Sequence, residues 1–199
     1  VYMLFTTFKT ETEAIAYPPK LFPAKWLWEN YLSAWKAQPF GQYFLNSVLV
    51  TVGTTAGQII SCSLVAYGFA RFNFPFKKAL FSLLIATLML PNAVIIIPRY
   101  TLFAKFGWID TYIPFYALAA LACYPFFIFM LVQFLRGIPR DLDESAYIDG
   151  CGTFRTLMQI ILPLMKPSLF SAALFQFMWT YNDYFNSLIF INSGKKYTV

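Results

Sequence analysis

The sequence predicts an all-α fold, a polytopic transmembrane helix bundle, and three observations carry that expectation. The 199 residues are 59% hydrophobic and 21% aromatic, with 12% charged and no histidine. Soluble domains carry roughly 25% charge. No Asp, Glu, Lys or Arg falls between Lys36 and Arg71, between Lys78 and Arg99, or between Asp110 and Arg136. A helix crossing hydrocarbon needs about 20 mainly apolar residues, and each run supplies that many. The lysines and arginines sit in the short segments between these runs, as membrane anchoring requires.

Val1–Phe8 is apolar but too short to span, and it reads as the end of a first span. Residues 9–42 form an outer loop with Pro18, Pro19, Pro23 and Pro39, and a short helix is expected around Leu27–Lys36. Its Trp26, Trp28, Tyr31 and Trp35 suit the headgroup level. Complete spans are predicted at about 43–70, 79–98, 112–135 and 167–191, with a cytoplasmic loop at 136–166. Pro91 lies inside the second span. In the third, Pro114 fits the first turn and Pro125 should kink the helix. The chain opens without methionine and stops at Tyr197-Thr198-Val199. The expectation is one transmembrane domain over 1–199, truncated at both ends.

The formal net charge of +6 is spread over short loops, which argues against nucleic acid as a partner and for a lipid bilayer. Cys62 and Cys123 lie inside spans and Cys151 in the polar loop. Without pairable spacing they read as small apolar fillers. No metal site and no catalytic residues are expected.

Residues 144–163 are a polar island between apolar stretches. Asp141 followed by Glu144 has capping-box spacing, with Asp141 as the cap. Gly150 suits the left-handed residue that ends a first helix. A second helix is expected after Thr153, with Phe154, Leu157, Met158 and Ile161 on one apolar face. Pro163 and Pro167 punctuate the return to the membrane.

Asp183 is the only Asp, Glu, Lys or Arg within an assigned span. Intramembrane charge is costly and usually faces a cavity or a partner. At 100° per residue, Gln176, Thr180, Asp183 and Ser187 form one narrow stripe flanked by Trp179, Asn182 and Asn186. The first complete span carries a second stripe, Ser47, Thr51, Thr54, Thr55, Gln58 and Ser61. Each stripe reads either as the wall of a transport path or as a hydrogen-bonded seam between helices. Gly53 and Gly57 suit close helix packing.

The island resembles the EAA loop of ABC-importer permeases, whose pattern is E-A-A, three residues, G, nine residues, I-x-L-P. Glu144, Ala146, Gly150, Ile160, Leu162 and Pro163 fall in register, and Ser145 departs from the usual alanine. Ala66-Tyr67-Gly68-Phe69-Ala70-Arg71, Pro91 through Pro98 and Ile138-Pro139 are similar to sugar-importer permeases of the MalG type. Trp179 to Asp183 resembles that family's Trp-Asn-Asp segment, with two residues between Trp179 and Asn182.

The resemblance implies a type I ABC-importer permease of the bacterial or archaeal inner membrane. Glu144, Ala146, Asp149, Gly150, Ile160, Leu162 and Pro163 would couple it to the ATPase. It also implies a second permease, an ABC ATPase dimer holding ATP and magnesium, and an extracytoplasmic solute-binding protein. No cofactor is implied for this chain. Gln176, Trp179, Thr180, Asn182, Asp183, Ser187, Thr51, Thr55 and Gln58 are the transport-path candidates. Lys/Arg counts on the two sides, 7 inside and 8 outside, do not orient the chain, so orientation follows from the loop. Competing readings are an ABC permease for an amino acid, polyamine or anion, a channel, or a membrane enzyme.

Overall fold

A long helix organises the molecule, and the others pack along it. The computed structural model describes residues 1–198. Two short helices, α1 (Tyr2–Thr6) and α2 (Glu11–Ala14), precede α3 (Glu29–Ala37) and the 32-residue α4 (Phe40–Arg71). Then come α5 (Lys77–Leu88), α6 (Asn92–Lys105), α7 (Ile113–Ala120) and α8 (Pro125–Arg136). The polar loop holds α9 (Asp141–Ile148), α10 (Thr153–Thr156), a π-helical turn (Leu157–Ile161) and α11 (Leu162–Leu164). The last helices are α12 (Lys166–Tyr181) and α13 (Tyr184–Phe190), followed by a 3₁₀ turn (Gly194–Lys196).

Two of the expected spans are continuous enough to cross a membrane by length and composition, Phe40–Arg71 and Ile113–Arg136. The second breaks briefly at 121–124, where Ala122 takes φ 54° and Pro125 opens α8. The expected 79–98 span is instead two helices, α5 and α6, turned by 104°. Pro91 has no N–H to donate to the preceding turn, and the chain is extended there with ψ 138°, so the helix restarts at Asn92. The expected 167–191 span also divides. α12 ends at Tyr181, and Asp183 caps α13 by accepting the Asn186 N–H at 3.1 Å. A side chain that satisfies the start of a new helix has ended the old one. The segment before α12 is bent from it by 77°.

α4 packs against α7, α8 and α12. Side chains from α4, α8 and the π turn, among them Cys62, Ala66, Leu131, Leu135, Leu157 and Ile161, form one apolar core with Met165 and Ala172. Val50, Ile96, Phe103, Phe115, Phe190 and Ile191 form a second. Between them α4 carries the buried Thr51, Thr54 and Gln58. In lipid, helices associate through close packing and hydrogen bonds, and the glycines permit both. A Cβ on Gly53 would stand 2.6 Å from the Tyr116 ring. One on Gly57 would stand 3.3 Å from Ala119 Cβ. Tyr116 Oη also donates to Leu49 O at 3.3 Å.

The segment after α13 is tied down by Asp110. Its Oδ1 accepts the N–H groups of Asn192 and Ser193 at 3.0 and 2.8 Å, and Oδ2 accepts Ser193 Oγ and pairs with Lys196 Nζ at 3.2 Å. Asn46 Nδ2 donates to Lys195 O and Tyr197 O, both at 3.0 Å.

Candidate functional site

The polar loop folds as two helical pieces hinged at Gly150, whose φ is +76°. The Gly150 N–H donates to Tyr147 O at 3.0 Å, and the Cys151 N–H donates to Ala146 O at 2.9 Å. This is the left-handed ending expected from the glycine. The expected cap is displaced by one residue. Arg140 occupies the capping position, Asp141 is the first helical residue, and no side chain caps α9. Asp141, Asp143 and Glu144 instead place negative charge in the first turn, where it complements the helix dipole.

The second piece begins at Thr153 as expected, but its apolar face splits. Leu157 and Ile161 are buried in the first core, whereas Phe154 is 66% exposed and Met158 44%. The π turn at Leu157–Ile161 is the reason. Its wider repeat breaks the register that a 3.6-residue period projects. Tyr147 and Ile148, just before the hinge, are 81% and 82% exposed.

Of the seven coupling candidates, Ala146 is buried at 2%, and Ile160 and Leu162 are half-buried against the core. Glu144, Asp149, Gly150 and Pro163 are exposed. Glu144 lines a cavity of about 230 Å³ with Arg71, Arg140, Asp143, Tyr147 and Thr156. Arg71 Nε pairs with Asp143 Oδ2 at 2.9 Å, and Arg71 Nη2 donates to Ile138 O at 3.0 Å. Arg140 Nη2 donates to Ala70 O at 3.2 Å. The end of α4 is thereby fixed to the start of the loop.

A second cavity, of about 260 Å³, lies between α6, α7 and the α12–α13 break. Gln176, Trp179, Thr180 and Asp183 all line it, with Asn186. Gln176 Nε2 donates to Thr180 Oγ1 at 2.8 Å. Asp183 Oδ2 accepts Asn186 Nδ2 at 2.7 Å.

Two expected members fall elsewhere, because the break at 182–183 ends the 100° projection. Asn182 is exposed and folds back to donate to Met178 O at 2.7 Å. Ser187 lines a different cavity with Tyr43, Tyr184 and Tyr197. Within this chain most of the α4 stripe is buried against neighbouring helices. Thr51 is 1% exposed and Gln58 0%, Thr55 is half-buried, and none lines either cavity. Ser61 Oγ, at the end of that stripe, donates to Ala119 O of α7 at 2.5 Å.

Arg99 is a cavity residue that hydropathy does not reveal, because it bounds the charge-free run ending at Pro98. In the structure Arg99 sits in the middle of α6 and lines the Asp183 cavity. Pro91 was the available signal, since a helix restarting after it carries Arg99 two turns inward. Among the described residues, no group of three His, Cys, Asp or Glu could hold a metal ion.

The diacetylchitobiose uptake system permease protein NgcG of Streptomyces coelicolor is 33% identical over 92% of this chain. The sulfoquinovosyl glycerol transport system permease protein SmoH of Agrobacterium fabrum is 31% identical over 96% of it. The chain spans 61% and 67% of the lengths of these two relatives. A solved bacterial ABC transporter that imports the acidic polysaccharide alginate superposes on 98% of the chain and 69% of its own, with a TM-score of 0.86 at 18% identity. The fold is therefore that of the type I ABC-importer permeases. Residues 58–195 match the family described as the binding-protein-dependent transport system inner membrane component. On that match and the helix architecture around α4, the chain is a multi-helix membrane protein and belongs to that inner-membrane family.

Proposed function

We propose that this chain forms half of the translocation path of an ATP-driven importer for a sugar or oligosaccharide, of the MalG type. The loop at 136–166 docks on a separate ATPase dimer, which holds ATP and magnesium. A second permease completes the path, and an extracytoplasmic solute-binding protein delivers the solute. The chain is a transport subunit and not an enzyme. The observation that carries the reading is the apolar knob around Gly150. Tyr147, Ile148 and Phe154 are 81%, 82% and 66% exposed on an otherwise polar loop. Large apolar side chains exposed together on a polar loop support a protein-docking role. Just behind them, Ala146, Leu157 and Ile161 anchor the loop in the core, so a push on the knob moves α4 and α8 with it. The names of the chitobiose and sulfoquinovosyl glycerol relatives support a carbohydrate cargo.

The test is co-purification with the ATPase and solute uptake in the variant Tyr147→Ser/Ile148→Ser. Loss of ATPase association with normal membrane insertion is expected. Normal association and uptake would sink the coupling role. Cysteines placed at Asn73 and Arg155, in a background without native thiols, should react with an impermeant reagent only after permeabilisation. Labelling at 155 in intact cells would invert the orientation. Uptake that competes with an amino acid or polyamine and not with sugars would overturn the cargo.

A further inference from the structure

Arg99 lines the α6–α12 cavity, half-exposed, beside Cys123 and Tyr124. Among the described residues it makes no ion pair and no hydrogen bond, although Asp183 lines the same cavity. Both Asp183 oxygens are already engaged, Oδ1 by the Asn186 N–H at 3.1 Å and Oδ2 by Asn186 Nδ2 at 2.7 Å. Gln176 is 2% exposed. Its Nε2 donates to Thr180 Oγ1 at 2.8 Å with Tyr124 beside it in the cavity, and its Oε1 accepts no hydrogen bond. The cavity therefore presents two unmet needs, a planar cationic fork of five N–H donors and one buried acceptor. Phe115, Leu118 and Phe190 form apolar wall.

A ligand that meets both needs carries an anionic group and a hydroxyl. Carboxylates and other oxyanions match the guanidinium in bidentate geometry. A hydroxyl can donate to Gln176 Oε1. A neutral polyol would satisfy the glutamine and leave the guanidinium without a bonded anion, because Asp183, the one carboxylate lining the cavity, is held by Asn186. We propose that this cavity is a subsite for a hydroxylated organic acid, a sugar unit bearing a carboxylate or sulfonate, with the acid on Arg99 and a hydroxyl on Gln176. Asp183 repels the acid from its own end and so sets the ligand's direction. The inference rests on the cavity lying on the solute path.

Cys123 lines the same cavity and is exposed, so it reports on the site without transport. The experiment uses the purified full-length protein in neutral detergent with every cysteine except Cys123 replaced by alanine, Cys62 and Cys151 among them, so that Cys123 is the reporter. An anionic, sulfonate-bearing methanethiosulfonate should modify Cys123 faster than its trimethylammonium counterpart. Arg99→Gln should lower that rate ratio on the order of tenfold, and Arg99→Lys should retain it. Galacturonate should protect Cys123 where galactose does not, and Arg99→Gln or Gln176→Leu should abolish the protection.

An unchanged ratio in Arg99→Gln, or equal protection by the two sugars, overturns the proposal. So does protection by phosphatidylglycerol with none by galacturonate, which would make a lipid headgroup the occupant. Absence of any ATPase partner would sink the import reading separately, because the labelling contrast needs no ATPase and would still establish the anion subsite.

Discussion

Arg71 Nε lies 2.9 Å from Asp143 Oδ2, joining the last residue of α4 to the first turn of α9. The pair is shielded, with the Arg71 side chain 7% exposed and that of Asp143 22%. Arg71 Nη2 also holds Ile138 O, and Arg140 Nη2 returns to hold Ala70 O. Three contacts therefore cross between the helix that organises the bundle and the loop that carries the apolar knob. Breaking a buried pair on one side leaves the other charge uncompensated.

Arg71→Ala or Asp143→Ala should lower stability by about 3 kcal/mol and reduce solute-stimulated ATPase more than ATPase association. The exchanged pair Arg71→Asp/Asp143→Arg should recover part of the stimulation. Thermal unfolding and stimulated turnover, measured on the same preparations, decide it. Normal stimulation in both single variants would show that force reaches α4 by another route.

Gly150→Pro tests the hinge. The ring fixes φ near −65°, whereas the chain here requires +76°, and the N–H bond to Tyr147 O disappears with it. Uptake should fall to background while membrane insertion persists. Gly150→Ala carries a strain of about 1–2 kcal/mol and should retain part of the activity. Equal uptake in Gly150→Pro and the parent would remove the hinge from the mechanism.

Gly53 and Gly68 lie on the same helix but differ in surroundings. A Cβ at Gly53 meets the Tyr116 ring at 2.6 Å, whereas one at Gly68 meets nothing within 4 Å. Gly53→Val should therefore cost about 1–3 kcal/mol through overpacking. Gly68→Ala should be neutral or stabilising by up to about 1 kcal/mol through helix propensity. Denaturation in detergent checks the contrast, and equal midpoints for the two variants would contradict the α4–α7 contact.

The Asp110 clasp gives a pH signature. The Ser193 hydroxyl bond, the N–H groups of Ser193 and Asn192, and Lys196 hold the Asp110 carboxyl well below the usual carboxylate range. A depressed folded-state value means the contribution is complete above the unfolded value of about 4 and is lost as pH falls below it. Amide exchange at Asn192 and Ser193 should be slow at neutral pH, and Asp110→Asn should accelerate it there. The difference between parent and variant should shrink only in strong acid. A difference that vanished between pH 5 and 7 would assign the protection to something other than this carboxylate.

The sequence by itself determined what depends on composition and short-range chemistry. Charge-free runs of membrane length specified the helices, because the backbone in lipid must satisfy its own hydrogen bonds. Gly150 marked the left-handed hinge, since glycine takes positive φ without a Cβ penalty. Gly53 and Gly57 marked the close approach of α7. Tertiary structure decided where the runs are continuous and what their faces meet. Hydropathy treats Met89–Pro91 and Asn182–Asp183 as parts of long helices, but a missing N–H and a capping carboxylate divide them. Once divided, the helical projection no longer holds. Ser187 and Asn182 leave the Asp183 cavity, and Arg99, which had looked like the end of a span, enters it. The α4 hydroxyls and Gln58 turned inward for a similar reason. Periodicity shows that one face of a helix is polar, but only its neighbours determine whether that face meets a cavity or another helix.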